Sequence, residues 1–193
     1  PERFDISGLG LLKVIKQSGM ALNNFDRLTH ISHEDLFDTE SRVLEVWDFN
    51  RIPHHTVILW QLKYRREDNV FYCDLIREYC MEDTSVKDVQ SEINHDLKLM
   101  GYSPKKLRLI ADYSGTVKRD HDVPAMTTRI IRQAQRAGFD IIDETRPNPP
   151  VITSLDFAND VLGGHIRLSS QSGYDNVKIQ IRVHHSCKYH IAD

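Results

Sequence analysis

Val43-Leu44-Glu45-Val46-Trp47-Asp48-Phe49-Asn50 is a short apolar strand that runs directly into an acid. Leu107-Arg108-Leu109-Ile110-Ala111-Asp112-Tyr113-Ser114-Gly115 repeats the arrangement further along the chain. Asp is frequent where a strand gives way to a turn, so either acid alone reads as a turn residue. On the first and fourth strands of one sheet the pair reads differently. If the fourth strand pairs parallel to the first, Asp48 and Asp112 stand side by side at the same edge. Carboxylates that close repel unless a cation sits between them. Hard divalent ions with oxygen ligands are the usual answer, and such sites activate water for phosphodiester hydrolysis.

The segments around this pair follow in a definite order. Thr56-Val57-Ile58-Leu59-Trp60-Gln61-Leu62 predicts a second strand after a turn containing Pro53, with His54 and His55 in that surface hairpin. A polar turn over 65–69 leads into a third strand over 70–76, giving an antiparallel meander. Ser85 caps a helix with Val86, Val89, Ile93, Leu97 and Met100 at helical spacing before Gly101. Pro124 opens a second helix, with Ile130, Ile131 and Ala134 on one face and Gly138 as its stop. Residues 139–142 form a short strand. Residues 153–162 form a helix opened by Thr153 and Asp156, close to a capping box. Residues 166–168 and the alternating Val177, Ile179, Ile181 and Val183 are late strands. The order βββ-α-β-α-β-α-β-β predicts an α/β fold, a mixed sheet with helices on both faces. Residues 1–40 are the least patterned, with 23–35 reading as loop. They are expected to be a connector to a domain over 41–193.

Composition bounds the function classes. The 193 residues carry 25 Lys+Arg against 28 Asp+Glu, a net charge of −3, which excludes a uniformly basic nucleic-acid binder but not a local patch or a metal-filled acidic site. With 40% hydrophobic and 27% charged residues the chain reads as globular. No apolar run approaches the roughly 18–20 residues of a membrane span, and residues 1–20 lack the pattern of a signal peptide. Cys73, Cys80 and Cys187 are an odd, sparse set, which fits free thiols in a reducing compartment. Cys187 lies near His184, His185 and His190, but no second Cys pair completes a zinc finger.

These residues carry a resemblance. The strand and helix order, with acids on the first and fourth strands, is similar to that of ribonuclease-H-like nucleases. More narrowly, Trp47-Asp48-Phe49-Asn50 followed by Pro53 and a second strand resembles the nuclease domain of the large terminase subunit of tailed bacteriophages. So does Ile110-Ala111-Asp112-Tyr113-Ser114-Gly115, and so does the order of 154–164, a β segment and His185-Ser186-Cys187. The resemblance spans residues from about 22 to 193 and rests on order and spacing more than on any one motif.

It implies a metal-dependent endonuclease that cuts concatemeric viral DNA during packaging in the host cytoplasm. Partners of such a domain are double-stranded DNA, a packaging ATPase domain, a portal and a small terminase subunit. The chain has no G-x-x-x-x-G-K-[ST] loop and so is not the motor itself. The resemblance assigns Asp48 and Asp112 to two Mg²⁺ or Mn²⁺ ions. The family supplies a further Asp late in the domain, so either Asp193 serves or that acid lies beyond it. Asn50 and Ser114 are candidate outer partners of the site. Arg51, Lys118 and Arg119 are candidate DNA contacts. Arg129, Arg132 and Arg136 read either as further contacts or as a solvated helix face. Asp74, Glu78, Glu82 and Asp83 read as a solvated edge, and Asp120 and Asp122 as loop acids. Two alternatives stand beside this reading: another ribonuclease-H-like nuclease, such as a resolvase or transposase core, and a non-catalytic docking domain of the packaging complex.

Overall fold

A computed structural model of the protein describes residues 24–49, 54–102, 107–116, 124–147, 151–164, 167–168 and 177–187. In chain order the elements are α1 (Arg27–His30), β1 (Ile31–Ser32), β2 (Val43–Asp48), β3 (His54–Arg65), β4 (Val70–Glu82), α2 (Val86–Leu99) and β5 (Leu107–Ala111). A 3-10 turn (Tyr113–Thr116), α3 (Met126–Arg136), β6 (Ile141–Asp143), α4 (Val151–Leu162), β7 (Arg167–Leu168) and β8 (Val177–His184) complete them. The strands pair in both parallel and antiparallel senses, the mixed α/β arrangement expected from the sequence. The described residues fall into two compact units, one within 37–61 and 76–147 and the other within 24–36, 62–75 and 151–187.

In the first unit β2 lies between β3, antiparallel to it, and β5, parallel to it, and β5 in turn pairs parallel with β6. Burial alternates along β2 and β5, so that Val43, Glu45 and Trp47 share one face with Leu107, Leu109 and Ala111. That face belongs to the core, together with Val89, Ile93 and Leu97 of α2 and Ile130 and Ala134 of α3. Ser85 caps α2, its hydroxyl accepting from Asp88 N at 3.3 Å. The helix ends where Gly101 takes φ 73°, a conformation easily reached only without a Cβ, while Tyr102 N donates to Leu97 O. β4 runs to Glu82, six residues past the strand expected from the sequence. Its extension carries Tyr79 and Arg77, which both bond Asp96 of α2 at 2.9 Å.

In the second unit β8 pairs parallel with the start of β4 and with β1, and antiparallel with β7. Residues 27–32, expected as loop, form α1 and β1. Asp26 caps α1 through Leu28 N, and β1 exists because β8 offers it an edge. The helix expected from Thr153 begins instead at Val151, so Thr153 lies within the first turn and not at a cap. Asp74, expected at a solvated edge, has no exposed surface. Arg182 of β8 grips both its oxygens, Nε to Oδ1 at 2.7 Å and Nη2 to Oδ2 at 2.8 Å, and Lys63 approaches Oδ2 at 3.1 Å. A buried carboxylate persists only when so compensated.

Candidate active site

The parallel register of β2 and β5 runs from Val43 opposite Leu107 to Trp47 opposite Ala111. It continues one step further, because Asp112 N donates to Trp47 O at 2.9 Å. Asp48 and Asp112 therefore occupy the next paired position, on neighbouring strands about 4.8 Å apart. Both are half-buried, and both fall on the sheet face opposite Trp47 and Ala111. The side-by-side placement expected from the two strand ends is what the topology produces.

The turn after Asp112 is tightly built. Ser114 N donates to Asp112 Oδ1 at 3.1 Å and Ser114 Oγ to Oδ2 at 3.0 Å, while Gly115 N donates to Asp112 O at 2.9 Å. Ser114 thus fixes the plane of the carboxylate through both its oxygens. β5 is braced from its other side, with Ala111 N donating to Thr145 Oγ1 at 3.0 Å and Glu144 N to Leu109 O at 2.8 Å. Neither Thr145 nor Glu144 stood out in the sequence, since nothing local ties them to residue 111.

On the buried face, Glu45 lies behind the pair. Its oxygens accept from Gln90 Nε2 at 3.1 Å and Trp47 Nε1 at 3.2 Å. Burial pushes its carboxyl up to about 7, against the pull of those two hydrogen bonds.

Other expected residues are placed as follows. His54 and His55 open β3 rather than a surface turn, and His55 is buried, because the strand begins before Thr56. Glu78 is half-buried, and Glu82 and Asp83 are exposed. Arg132 and Arg136 are exposed on α3, and Arg129 is half-buried. Cys73 and Cys80 are half-buried free thiols, and Cys187 is fully buried. Asn50, Arg51, Lys118, Arg119, Asp120, Asp122, His190 and Asp193 lie outside the described residues.

Two aspartates are hard oxygen donors of the kind that suit Mg²⁺ or Mn²⁺, which often bind through one or two carboxylates, with water and substrate phosphate completing the shell. The donor chemistry of Asp48 and Asp112 fits such an ion. Among the described residues no group of three or more His, Cys, Asp or Glu side chains is arranged to hold a metal.

No family model and no curated protein matches this sequence. Solved structures do. The large terminase of a thermophilic bacteriophage superposes with a TM-score of 0.53 at 13% identity, covering 89% of this chain and 35% of that one. The nuclease domain of the P22 large terminase gives 0.51 at 14% identity, covering 88% of this chain and 74% of that domain. The chain spans about a third of the length of the thermophilic phage's terminase. The fold is therefore ribonuclease-H-like. Its particular form is similar to the nuclease domain of phage large terminases.

Proposed function

We propose that this chain is the divalent-metal-dependent endodeoxyribonuclease domain of a phage large terminase, cutting concatemeric viral DNA during genome packaging. The observation that supports it is the paired position of Asp48 and Asp112 at the ends of parallel β2 and β5. Asp48 and Asp112 would hold Mg²⁺ or Mn²⁺, which when bound lowers the pKa of a coordinated water and neutralises charge on the scissile phosphate. Ser114 keeps the Asp112 carboxylate in one orientation. Asp193 or a later acid would complete the ligand set, with Asn50 as an outer partner. Arg51, Lys118 and Arg119 would neutralise DNA phosphates, the main source of sequence-independent affinity.

The reading extends to the setting. A connector within residues 1–40 would join the domain over 41–193 to a packaging ATPase, and the portal and small terminase subunit would be further partners in the host cytoplasm. Among the described residues no helix is long and apolar enough to cross a membrane.

Supercoiled plasmid incubated with the protein in Mn²⁺, Mg²⁺ or EDTA tests the proposal, beside Asp48→Asn and Asp112→Asn. Nicking or linearisation that requires metal and disappears in both variants is the expected result. Metal-independent cleavage, or cleavage that survives both substitutions, would overturn it. A chain extended past Asp193 that also leaves the plasmid intact would favour a docking role.

A further inference from the structure

The ring of Phe49 lies directly on Gly115. A methyl group on Gly115 would sit 1.9 Å from Phe49 Cε2, 2.5 Å from Cδ2 and 2.8 Å from Cζ, so no larger residue fits unless the ring leaves. Phe49 is only 7% exposed, and its ring centroid is 5.9 Å from that of Trp47 at a tilt of 32°. The ring is thus held between a core tryptophan of β2 and the turn after β5. Phe49 is the residue next to Asp48, and Gly115 is bonded through its N to Asp112 O. The contact joins the backbone just past one acid to the turn just past the other. Before the acids, the strands are joined by the bond from Asp112 N to Trp47 O. Beyond them, the ring on the glycine performs the same task.

We propose that Phe49 and Gly115 are positioning residues that set the separation of the Asp48 and Asp112 carboxylates so that both engage one divalent cation. The proposal rests on the metal-site reading above and deepens it. A Cβ at residue 115 forces the ring, and with it the backbone after Asp48, away from Asp112. The cost in metal affinity is about tenfold, the lower end of what outer partners of metal ligands supply.

The test uses the full chain without DNA. Mn²⁺ affinity is measured by calorimetry and melting temperature in EDTA for wild type, Gly115→Ala, Phe49→Leu, Phe49→Ala/Gly115→Ala and Asp48→Asn. Gly115→Ala is expected to lose about tenfold in Mn²⁺ affinity. The double variant has room for the new methyl but no ring to span from Asp48 to the turn after β5, so its Mn²⁺ affinity is expected to stay as low as that of Gly115→Ala even where relief of the clash raises its melting temperature. A contact that is merely structural lowers the melting temperature and leaves the Mn²⁺ affinity of the folded protein unchanged, and affinity restored in the double variant would count against the ring's role. Wild-type Mn²⁺ affinity in Gly115→Ala, or affinity that simply tracks melting temperature across the series, would overturn the proposal. Should Gly115→Ala not fold, Phe49→Leu replaces it, with weakened Mn²⁺ binding expected and unchanged binding counting against the proposal. Absence of Mn²⁺ binding by wild type, or binding unaltered in Asp48→Asn, would instead overturn the metal-site reading itself.

Discussion

Gln90 of α2 reaches across to β2 and donates its amide Nε2 to Glu45 Oε1 at 3.1 Å, both side chains being fully buried. The same Nε2 also donates to Asn94 Oδ1 at 3.1 Å, and Asn94 Nδ2 to Gln133 O of α3 at 3.4 Å. A chain of amides therefore links the strand carrying Asp48 to both helices of its unit. Its one acid titrates near neutrality.

That acid makes stability depend on pH. Glu45 titrates at about 7 in the folded protein against an ordinary value of 4.5, with burial the leading cause. Between those two values the folded state keeps a proton that the unfolded chain has released, so stability falls as pH rises across the window. The loss amounts to roughly 3 kcal/mol. Glu45→Gln keeps the shape without the charge, and its amide can donate to Gln90 Oε1, a buried oxygen that lacks a hydrogen-bond partner. Its melting temperature is expected to exceed wild type at pH 8 and to vary less from pH 5 to 8, as thermal denaturation at each pH will show.

Asp74 and Arg182 give a second prediction. Asp74→Ala leaves Arg182 and Lys63 facing each other without their shared anion, and should cost about 3–5 kcal/mol in urea denaturation. Arg182→Lys keeps the charge but loses the two-pronged grip and the stack over Tyr72 at 4.2 Å. It is expected to remain clearly destabilised. A lysine variant as stable as wild type would show that charge alone suffices.

Ser114→Ala removes the hydroxyl bond to Asp112 Oδ2 and leaves the backbone bond to Oδ1 intact. The fold should survive with little change in melting temperature. The Mn²⁺ concentration for half-maximal plasmid cleavage should rise by about tenfold. Unchanged metal dependence would remove Ser114 from the site.

Tyr113 is 47% exposed and follows Asp112 directly. If the acids act on DNA as proposed, an exposed ring one residue from Asp112 is a candidate contact to the duplex backbone. Tyr113→Ala is expected to weaken binding of a fluorescent duplex about tenfold while Mn²⁺ affinity holds. Equal duplex affinity in anisotropy titrations would mean that DNA approaches from elsewhere.

The two acid-tipped strands were legible because burial on one face and an acid at the end are local properties of a few residues. Their parallel pairing entered the sequence reading as a condition, which the register of β2 and β5 meets. What escaped was set by distant partners. Asp74 looked solvated because Arg182, which neutralises it, stands on the last strand. β4 seemed to end at Ile76 because Arg77 and Glu78 break the apolar run, whereas Arg77 and Tyr79 continue it by bonding Asp96. β1 is two residues long and has no pattern of its own, only an edge to join. Phe49 and Gly115 were each visible in the sequence, but their contact belongs to the folded chain.

The parallel pairing of β2 with β5 also has a consequence in time. β3, β4 and α2 all lie between the paired strands in the chain. Closing so long a loop is a late and costly event compared with forming the β3–β4 hairpin or α2. A ribosome therefore releases Asp48 well before its counterpart exists, and the two acids meet only after the intervening segment has condensed. On this topology any activity that needs both acids is withheld from the nascent chain until β5 has joined β2.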